Sequence, residues 1–257
     1  MTIWSSGRYD AVGDRIAPIA AQVVDAAARQ RPLQNAAVVD LACGTGSAAL
    51  TAAARGARVT GVDYTPELIA IAEQRRGADA VTWRVGDAAD TGLPAGAFDA
   101  VVSNMGIIFV DPSAQVAEIT RLLKPAGVLA FSAWVRDTSN PLFDPVVAVL
   151  GAPAASGFSP DQWGDADVLT ARLAPHFDDL TIHRGEHRWE FTSLTAALRF
   201  LREESPVHVE TFRRADPPLR DRLAAEFETT LAQHTQGSGA VAFTAPYVVV
   251  SAIYRAS

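Results

Sequence analysis

The nine residues VVDLACGTG at positions 38–46 set the fold of this chain. The apolar residues on either side of Asp40 are typical of a buried strand, and the alanine-rich segment from Ser47 is typical of a helix. Between the two, Gly44 and Gly46 let the backbone turn sharply and approach a ligand with no Cβ in the way. Because the first turn of a helix presents unpaired N–H groups, the stretch predicts a nucleotide-binding loop.

Two kinds of nucleotide fit such a loop. The segment from Gly44 to Ala49 also matches the G-x-G-x-x-A pattern of dinucleotide-binding folds, with Asp63 at a suitable distance for a ribose contact. Asp40 separates the alternatives, because a carboxylate at the strand end repels a pyrophosphate and attracts a cation. S-adenosylmethionine carries a sulfonium and an α-ammonium and no phosphate, so the sequence favours it over NAD(P).

Strand and helix patterns alternate along the first half of the chain. Apolar runs lie near residues 36–42, 57–62, 81–85, 98–103 and 127–134, and helical patterns lie near 46–55, 66–76 and 112–124. This alternation predicts an α/β fold with a parallel, doubly wound sheet. Ligands of such sheets bind outside the carboxyl ends of the strands. The polar residues expected at those ends are Asp40, Asp63, Asp87 and Asn104.

The second half of the chain changes character. Residues 137–177 are rich in Pro, Gly and Ser and predict an irregular cap that finishes in a helix near 165–174. We expect strands near 179–191 and 241–254, with helices near 193–204 and 217–235 between them. At 257 residues and 49% hydrophobic composition, the chain predicts one domain over 1–257. Its cofactor-binding core would span about 30–135, and its cap and substrate-side elements about 1–20, 137–177 and 192–237.

Charge and cysteine content narrow the function. The net charge of −7 and the scattered basic residues disfavour a nucleic-acid partner, which would need clustered Lys and Arg. Cys43 is the only cysteine, which predicts no intramolecular disulfide and a cytoplasmic location. No signal-like start and no apolar run of about 20 residues is present, so we expect no membrane insertion.

The motifs resemble those of class I S-adenosylmethionine-dependent methyltransferases, and they follow in that family's order over the first half of the chain. The matching segments are DLACGTG (40–46), VTGVDY (59–64), GDA (86–88), FDAVVSN (98–104) and RLLKPAG (121–127). The resemblance implies a Rossmann-like sheet of seven strands, mostly parallel with an antiparallel last strand. It also implies a helical cap between the last two strands that covers the active-site mouth.

The resemblance implies roles for individual residues as well. Asp63 would hold the ribose hydroxyls, Tyr64 would lie beside the adenine, and Asp87 and Ala88 would bind its amino group and a ring nitrogen. The backbone at Asn104 and Met105 would meet the methionine part. The complete predicted cofactor set is Tyr9, Asp40, Ala42, Gly44, Gly46, Asp63, Tyr64, Asp87, Ala88, Asn104 and Met105.

Within the family, the chain resembles the branch of ubiquinone and menaquinone biosynthesis methyltransferases and several uncharacterised actinobacterial members. Aromatic residues outside the motifs are candidates for an apolar acceptor pocket. These are Trp4, Phe109, Trp134, Phe158 and Trp163, with Tyr9 shared with the cofactor set. His208 follows Ser205 and Pro206 in the expected lid and is the candidate catalytic base; a histidine in a surface loop is the alternative. No metal-ligand spacing occurs.

The sequence therefore predicts an enzyme that transfers a methyl group from S-adenosylmethionine to a small-molecule acceptor. The expected acceptor atom is an oxygen of a hydroxyl, a phenol or quinol, or a carboxylate. An NAD(P)-dependent oxidoreductase and a cofactor-binding protein without turnover remain as alternatives. The sequence leaves a homodimer open, since the C-terminal strand could pair at an edge.

Overall fold

The computed structural model describes residues 2–151 and 157–256. Its strands are β1 (Ala37–Leu41), β2 (Arg58–Asp63), β3 (Val81–Val85), β4 (Phe98–Asn104), β5 (Leu123–Trp134), β6 (Phe177–Phe191) and β7 (Val241–Tyr254). Its α-helices are α1 (Tyr9–Gln30), α2 (Ser47–Ala54), α3 (Pro66–Ala72), α4 (Pro112–Leu122), α5 (Asp144–Leu150), α6 (Ala166–Leu173), α7 (Leu194–Arg199), α8 (Pro206–Arg214) and α9 (Pro217–Ala232). The predicted cap region includes residues 152–156, which lie outside the described part.

One seven-stranded sheet has the order β3-β2-β1-β4-β5-β7-β6. The strands β1 to β5 are parallel, and β7 runs antiparallel to both of its neighbours, β5 and β6. In the centre, Val39 of β1 pairs with Thr60 on one side and Val101 on the other. The predicted fold class, a doubly wound sheet with an antiparallel last strand, is confirmed.

The helix starts follow local chemistry at two strand ends. Asp111 precedes Pro112, and its side chain accepts the Ala114 N–H at 2.9 Å, which caps α4. Thr65 stands at the N-cap of α3 but makes no side-chain cap. Its hydroxyl instead bonds the Thr2 hydroxyl at 2.9 Å, which ties the N-terminal segment to the sheet.

The helix α1 is the longest helix of the described chain, and the sequence patterns did not predict it. It spans 22 residues despite Pro18 in its interior. Ile16, Ile19 and Val23 are buried and belong to the main hydrophobic core. The helix packs against α2, β4, β5 and β7, so α1 is part of the core of the fold.

The cap is more helical than the sequence suggested. The helices α5 and α8 were not predicted, and α3 ends at Ala72 rather than near residue 76. The helices α5 and α9 contact each other, and α8 contacts the 3-10 turn at Ile3–Ser5. Within the described residues, no helix is both long and apolar enough to cross a membrane.

Candidate active site

A cavity of about 330 Å³, the strand-end cavity, lies at the carboxyl ends of β1, β2 and β4. Its lining residues are Trp4, Tyr9, Ala42, Asp63, Tyr64, Leu68, Asp87, Ala88, Met105, Gly106, Phe109 and Val110. Seven residues of the predicted cofactor set are among them. Asp40, Gly44, Gly46 and Asn104 are not lining residues, and each has another position in the site.

The glycine loop folds closely over neighbouring aromatic rings. Gly44 and Gly46 have φ angles of 54° and 86°, in the left-handed region that side chains disfavour. A Cβ on Gly44 would stand 2.8 Å from the Tyr9 ring, and a Cβ on Gly46 would overlap the Trp83 ring. A side chain at Gly44 would therefore displace Tyr9, which lines the cavity, and a side chain at Gly46 would displace Trp83, which does not line it.

Two residues that are not glycine also adopt a left-handed backbone conformation at the edge of the cavity. Ala42 has φ 52° and Met105 has φ 57°, directly after β1 and β4. A Cβ on the adjacent Gly106 would lie 2.7 Å from the Ala42 Cβ, so the two turns are packed together. Non-glycine residues held in this conformation store strain and concentrate at functional sites.

Asp63 joins the two turns that flank β2. One carboxylate oxygen accepts the Gly44 N–H at 2.8 Å, and the other accepts the Thr65 N–H at 2.9 Å. The side chain is largely buried, and this burial raises its pKa above the usual range while the two N–H bonds oppose the shift. Each oxygen retains a lone pair, which suits a pair of ribose hydroxyls.

Asp40 lies beneath the glycine loop and is 1% exposed. Its Oδ2 accepts the Ala49 N–H at 2.8 Å from the start of α2, whereas its Oδ1 has no partner among the described residues. Burial, with a smaller effect of the Asp63 charge, raises the pKa of Asp40 to about 8. A buried polar atom without a hydrogen-bond partner is costly, so the residue fits a site that a ligand completes.

The far end of the strand-end cavity is held by a turn after β3. The Asp87 side chain accepts the Ala89 N–H at 2.8 Å, which fixes this turn. The Ala88 carbonyl accepts an N–H of Gln115 at 3.0 Å, and Gln115 is fully buried on α4. The sequence analysis missed Gln115, because a single glutamine within a helical pattern carries no motif. Tyr64 closes this end and is 64% exposed.

Asn104 is not among the lining residues of either cavity, and its side chain supports the turn after β4; the contact of its backbone with the cofactor stays a prediction. Its Nδ2 donates to the Ile16 carbonyl at 3.3 Å, and its Oδ1 accepts the Ser132 hydroxyl at 2.8 Å. The Ser132 oxygen in turn accepts the Met105 N–H at 3.0 Å. Asn104 thus joins β4 to α1 and β5 and steadies the turn that places Met105 in the cavity.

A second cavity of about 360 Å³, the cap cavity, adjoins the first beneath the helical cap. Its lining residues are Trp4, Tyr9, Val12, Ile16, Met105, Ile108, Phe109, Trp134, Asn140, Leu142, Phe143, Val146, Phe158, Ser159, Pro160, Asp161, Trp189, Phe200, Ser205, Pro206, Val207, His208, Thr211 and Ala245. Four residues line both cavities: Trp4, Tyr9, Met105 and Phe109. The Trp4 ring centre lies 4.6 Å from that of Phe109 and 5.9 Å from that of Tyr9.

The predicted aromatic set divides between cavity and core. Trp134 and Phe158 line the cap cavity, and Trp4 and Phe109 line both cavities. Trp163 does not, which corrects its assignment to the acceptor pocket. It is 0% exposed and packs edge-on against Phe131 of β5, with ring centres 5.4 Å apart. Three cavity aromatics escaped the sequence analysis because no motif marks them: Phe143, Trp189 and Phe200.

His208 lies in α8 and on the cap-cavity wall, so the alternative of a surface-loop histidine is wrong. Its Nε2 lies 2.6 Å from the Leu142 carbonyl oxygen, and its Nδ1 lies 2.6 Å from the Ser205 hydroxyl. A carbonyl oxygen only accepts, so Nε2 carries a proton. Burial lowers the pKa of His208, which keeps the ring neutral at pH 7 and leaves Nδ1 as the acceptor of the Ser205 O–H.

The cap cavity carries little charge. Asp161 is the one charged residue in its described lining, and it pairs with Arg136 at 2.9 Å. No Lys or Arg stands among those described lining residues. The described chain also holds no cluster of three or more His, Cys, Asp or Glu that could bind a metal ion.

Residues 39–131 match a family model described as a methyltransferase domain. An uncharacterised protein of Mycobacterium tuberculosis is 28% identical over 71% of this chain and 68% of its own length. Nocamycin O-methyltransferase of Saccharothrix syringae is 35% identical over 48% of this chain and 45% of its own length. Malonyl-[acyl-carrier protein] O-methyltransferase of Serratia marcescens is 28% identical over 73% of this chain and 71% of its own length.

A solved structure shows the same fold. It is phosphoethanolamine N-methyltransferase 2 of Haemonchus contortus bound to S-adenosylhomocysteine, with 20% identity and a TM-score of 0.54. The match covers 91% of this chain and 52% of the other, so this chain spans about half the length of that protein.

These matches confirm the resemblance to class I methyltransferases that the motifs indicated. Residues 39–131 match the methyltransferase-domain model, and the sheet around them has the Rossmann-like fold seen in class I methyltransferases. The expected likeness to uncharacterised actinobacterial proteins is confirmed too. The particular branch of quinone biosynthesis stays a prediction.

Proposed function

We propose that this protein transfers a methyl group from S-adenosylmethionine to an oxygen atom of a small, apolar acceptor. The observation that carries the proposal is the junction of the two cavities at Trp4, Tyr9, Met105 and Phe109. The strand-end cavity, with the carboxylates of Asp63 and Asp87 in its lining, suits the cofactor, and the more apolar cap cavity suits the acceptor. Methyl transfer needs two ligands that meet end to end, which is the arrangement these four residues define.

The residues of the strand-end cavity fit the cofactor. Asp63 would bind the ribose hydroxyls, and Asp87 with Ala88 would bind the adenine beside Tyr64. The unpartnered Oδ1 of Asp40, beneath the loop, would attract the positively charged part of the ligand. When bound, the cofactor supplies an electrophilic methyl group on its sulfonium, and the sulfur keeps the bonding electron pair as the methyl leaves.

The chain itself contributes position and exclusion of water. Aligning two reactants in one site contributes as much as about 7–11 kcal/mol to lowering a barrier. The aromatic rings of Trp4 and Phe109 stand at the junction, and apolar side chains form most of the cap-cavity wall. A dry junction keeps water from competing with the acceptor oxygen for the methyl group.

Two features support oxygen as the acceptor atom. The relatives from Saccharothrix syringae and Serratia marcescens are both named as O-methyltransferases. The cap cavity has a hydroxyl and an imidazole, Ser205 and His208, on an otherwise mostly apolar wall. Such a wall offers hydrogen bonds to a hydroxyl group and little to a second charged ligand.

Calorimetric titration with S-adenosylhomocysteine and, separately, with NADH tests the cofactor. We expect micromolar binding of S-adenosylhomocysteine and no binding of NADH. The reverse result would assign the strand-end cavity to a dinucleotide and the protein to the oxidoreductases.

The acceptor atom is tested by turnover with 2-naphthol, 2-naphthoate and 2-naphthylamine, which share one ring system. Release of S-adenosylhomocysteine from S-adenosylmethionine is the readout. We expect an oxygen acceptor to give the fastest release. Methylation of the amine alone would contradict the oxygen assignment, and binding of S-adenosylhomocysteine with no release from any acceptor would favour a cofactor-binding protein without turnover.

A further inference from the structure

Ser205 and His208 form a hydrogen-bonded pair on the cap-cavity wall, at the start of α8. Ser205 is 7% exposed, and both residues line the cavity. The Ser205 hydroxyl does not cap the helix backbone. It contacts His208 Nδ1 at 2.6 Å instead, a distance at the short end for a hydrogen bond.

The direction of each hydrogen bond follows from the partners. The Leu142 carbonyl accepts the proton on Nε2 of His208, so Nδ1 of the neutral ring accepts the Ser205 O–H. His208 has no free lone pair to offer a substrate directly. The Ser205 oxygen has given its one hydrogen to the ring and keeps lone pairs that can accept from a ligand O–H.

We propose that Ser205 binds the hydroxyl group of an uncharged aromatic acceptor and passes its proton to His208. Ser205 is the catalytic residue of this pair, and His208 is a positioning residue that acts through it. The proposal rests on the proposed function, since it assigns the acceptor class of the same site.

The proton balance is simple. The acceptor oxygen gains a methyl group and loses its hydrogen. That hydrogen moves as a proton to Ser205 Oγ, while the hydrogen of the Ser205 hydroxyl moves as a proton to Nδ1 of His208. Ser205 ends as a neutral hydroxyl and His208 ends as an imidazolium. The Leu142 carbonyl, 2.6 Å from Nε2, stabilises that cation.

The other lining residues of the cap cavity favour one class of acceptor over another. Rings from Phe143, Phe158 and Trp189 suit a planar aromatic ligand. A carboxylate acceptor finds no Lys or Arg among the described lining residues, and Asp161 would repel it. A neutral aromatic alcohol therefore fits better than the carboxylate that the sequence left open.

The test compares two ligands that differ at one group, 2-naphthol and 2-methoxynaphthalene, on protein saturated with S-adenosylhomocysteine. Calorimetry measures both affinities. We expect the naphthol to bind about tenfold more tightly, the effect of one buried hydrogen bond. In Ser205→Ala the preference falls to within about twofold, whereas Ser205→Thr, which keeps the hydroxyl, retains it.

A structural role in holding α8 would alter both affinities alike and leave the preference unchanged. Equal binding of the two ligands by the wild type, or an unchanged preference in Ser205→Ala, overturns the proposal. Exposed Ser238, in the turn before β7, offers the matched control Ser238→Ala, in which the preference stays as in the wild type.

Nitrogen-15 NMR of the His208 ring tests the second step. We expect 2-naphthol to shift the Nδ1 resonance in the wild type and not in Ser205→Ala, and 2-methoxynaphthalene to leave it in place. A shift of the wild-type Nδ1 resonance with both ligands, or with neither, contradicts the proposed proton transfer from Ser205 to His208. Failure of S-adenosylhomocysteine to bind would count against the proposed function instead, so the two failures are distinguishable.

Discussion

The strand-end cavity and the cap cavity are built in opposite ways. The first takes its polar groups from turns that directly follow strands, and backbone N–H groups hold them, as Gly44 and Thr65 hold Asp63. The second takes mostly apolar side chains from α1, α5, α8 and the 3-10 turn at Pro160–Trp163. In the proposed reaction, directional hydrogen bonds would therefore hold the cofactor, and the shape of a mostly apolar wall would select the acceptor.

This contrast explains why one fold can accommodate different acceptors. The strand ends belong to the sheet, so a change there disturbs the core. The cap helices lie outside the sheet, and the side chains that line the cap cavity can change without altering a strand end. Four residues, Trp4, Tyr9, Met105 and Phe109, line both cavities, so the proposed reaction would bring both ligands against them.

We expect the largest loss of ligand affinity from Asp63→Ala, at the strand-end cavity. The change removes the predicted ribose contact and leaves two backbone N–H groups unpaired, so S-adenosylhomocysteine affinity should fall by about 1–3 kcal/mol, or roughly 5- to 150-fold. The free energy of unfolding should also fall. Calorimetry and urea denaturation measure the two effects, with exposed Asp79→Ala as the control. Unchanged affinity would remove Asp63 from the cofactor set.

A pH dependence should distinguish Asp40 from every cap-cavity residue. Its pKa of about 8 means that the free protein holds a proton there at pH 7. A cationic ligand favours the carboxylate and lowers this pKa, so binding releases a proton and the affinity rises with pH up to about 8.

Titration of S-adenosylmethionine between pH 6 and 8 measures this effect. If binding releases one proton, the affinity for S-adenosylmethionine can rise by at most about tenfold for each pH unit. Calorimetry in two buffers of different ionisation enthalpy counts the proton. Asp40→Asn, which cannot titrate, should show a flat profile, and a flat wild-type profile would contradict the assignment.

We expect an intermediate loss of ligand affinity from Trp134→Leu, and only for a ligand of the cap cavity. The change keeps apolar bulk and removes a ring from the cap-cavity wall, so 2-naphthol should bind about fivefold more weakly, the scale of one aromatic contact. S-adenosylhomocysteine affinity should stay within about twofold, because Trp134 does not line the strand-end cavity. Equal loss of both affinities would mean that the cavities are not separable.

The smallest effect is expected from Trp163→Phe. Trp163 is fully buried against Phe131, and its indole N–H has no partner among the described residues. Both ligand affinities should stay within about twofold, and unfolding free energy should change by less than about 1.5 kcal/mol. A selective loss of 2-naphthol binding would return Trp163 to the acceptor site.

The cofactor side of the site was largely predictable, because each motif is contiguous. A strand, a turn and a helix start occupy adjacent residues, so the loop at Gly44 and the acid at Asp63 can be assigned from spacing alone. The side-chain direction of Asn104 was not predictable, since strand-end position does not reveal which way a side chain points. Asn104 bonds the Ile16 carbonyl and the Ser132 hydroxyl instead of lining the cavity.

The acceptor side was less predictable, because its residues come together only through folding. Pro206 suggested a lid loop, yet proline is well suited to the first turn of a helix, and α8 begins there. Pro18 similarly obscured α1, whose apolar face forms only against the sheet. Aromatic composition could not separate Trp163 in the core from Trp134 in the cavity.

The sequence by itself determined the fold class, the glycine loop and the acidic residues at the strand ends, since these depend on local periodicity and on short motifs. The tertiary structure alone decided that the two cavities meet, that Asn104 supports a turn and that Ser205 and His208 face an apolar cavity as a pair. Burial and side-chain direction depend on contacts between distant segments, and no local pattern encodes them.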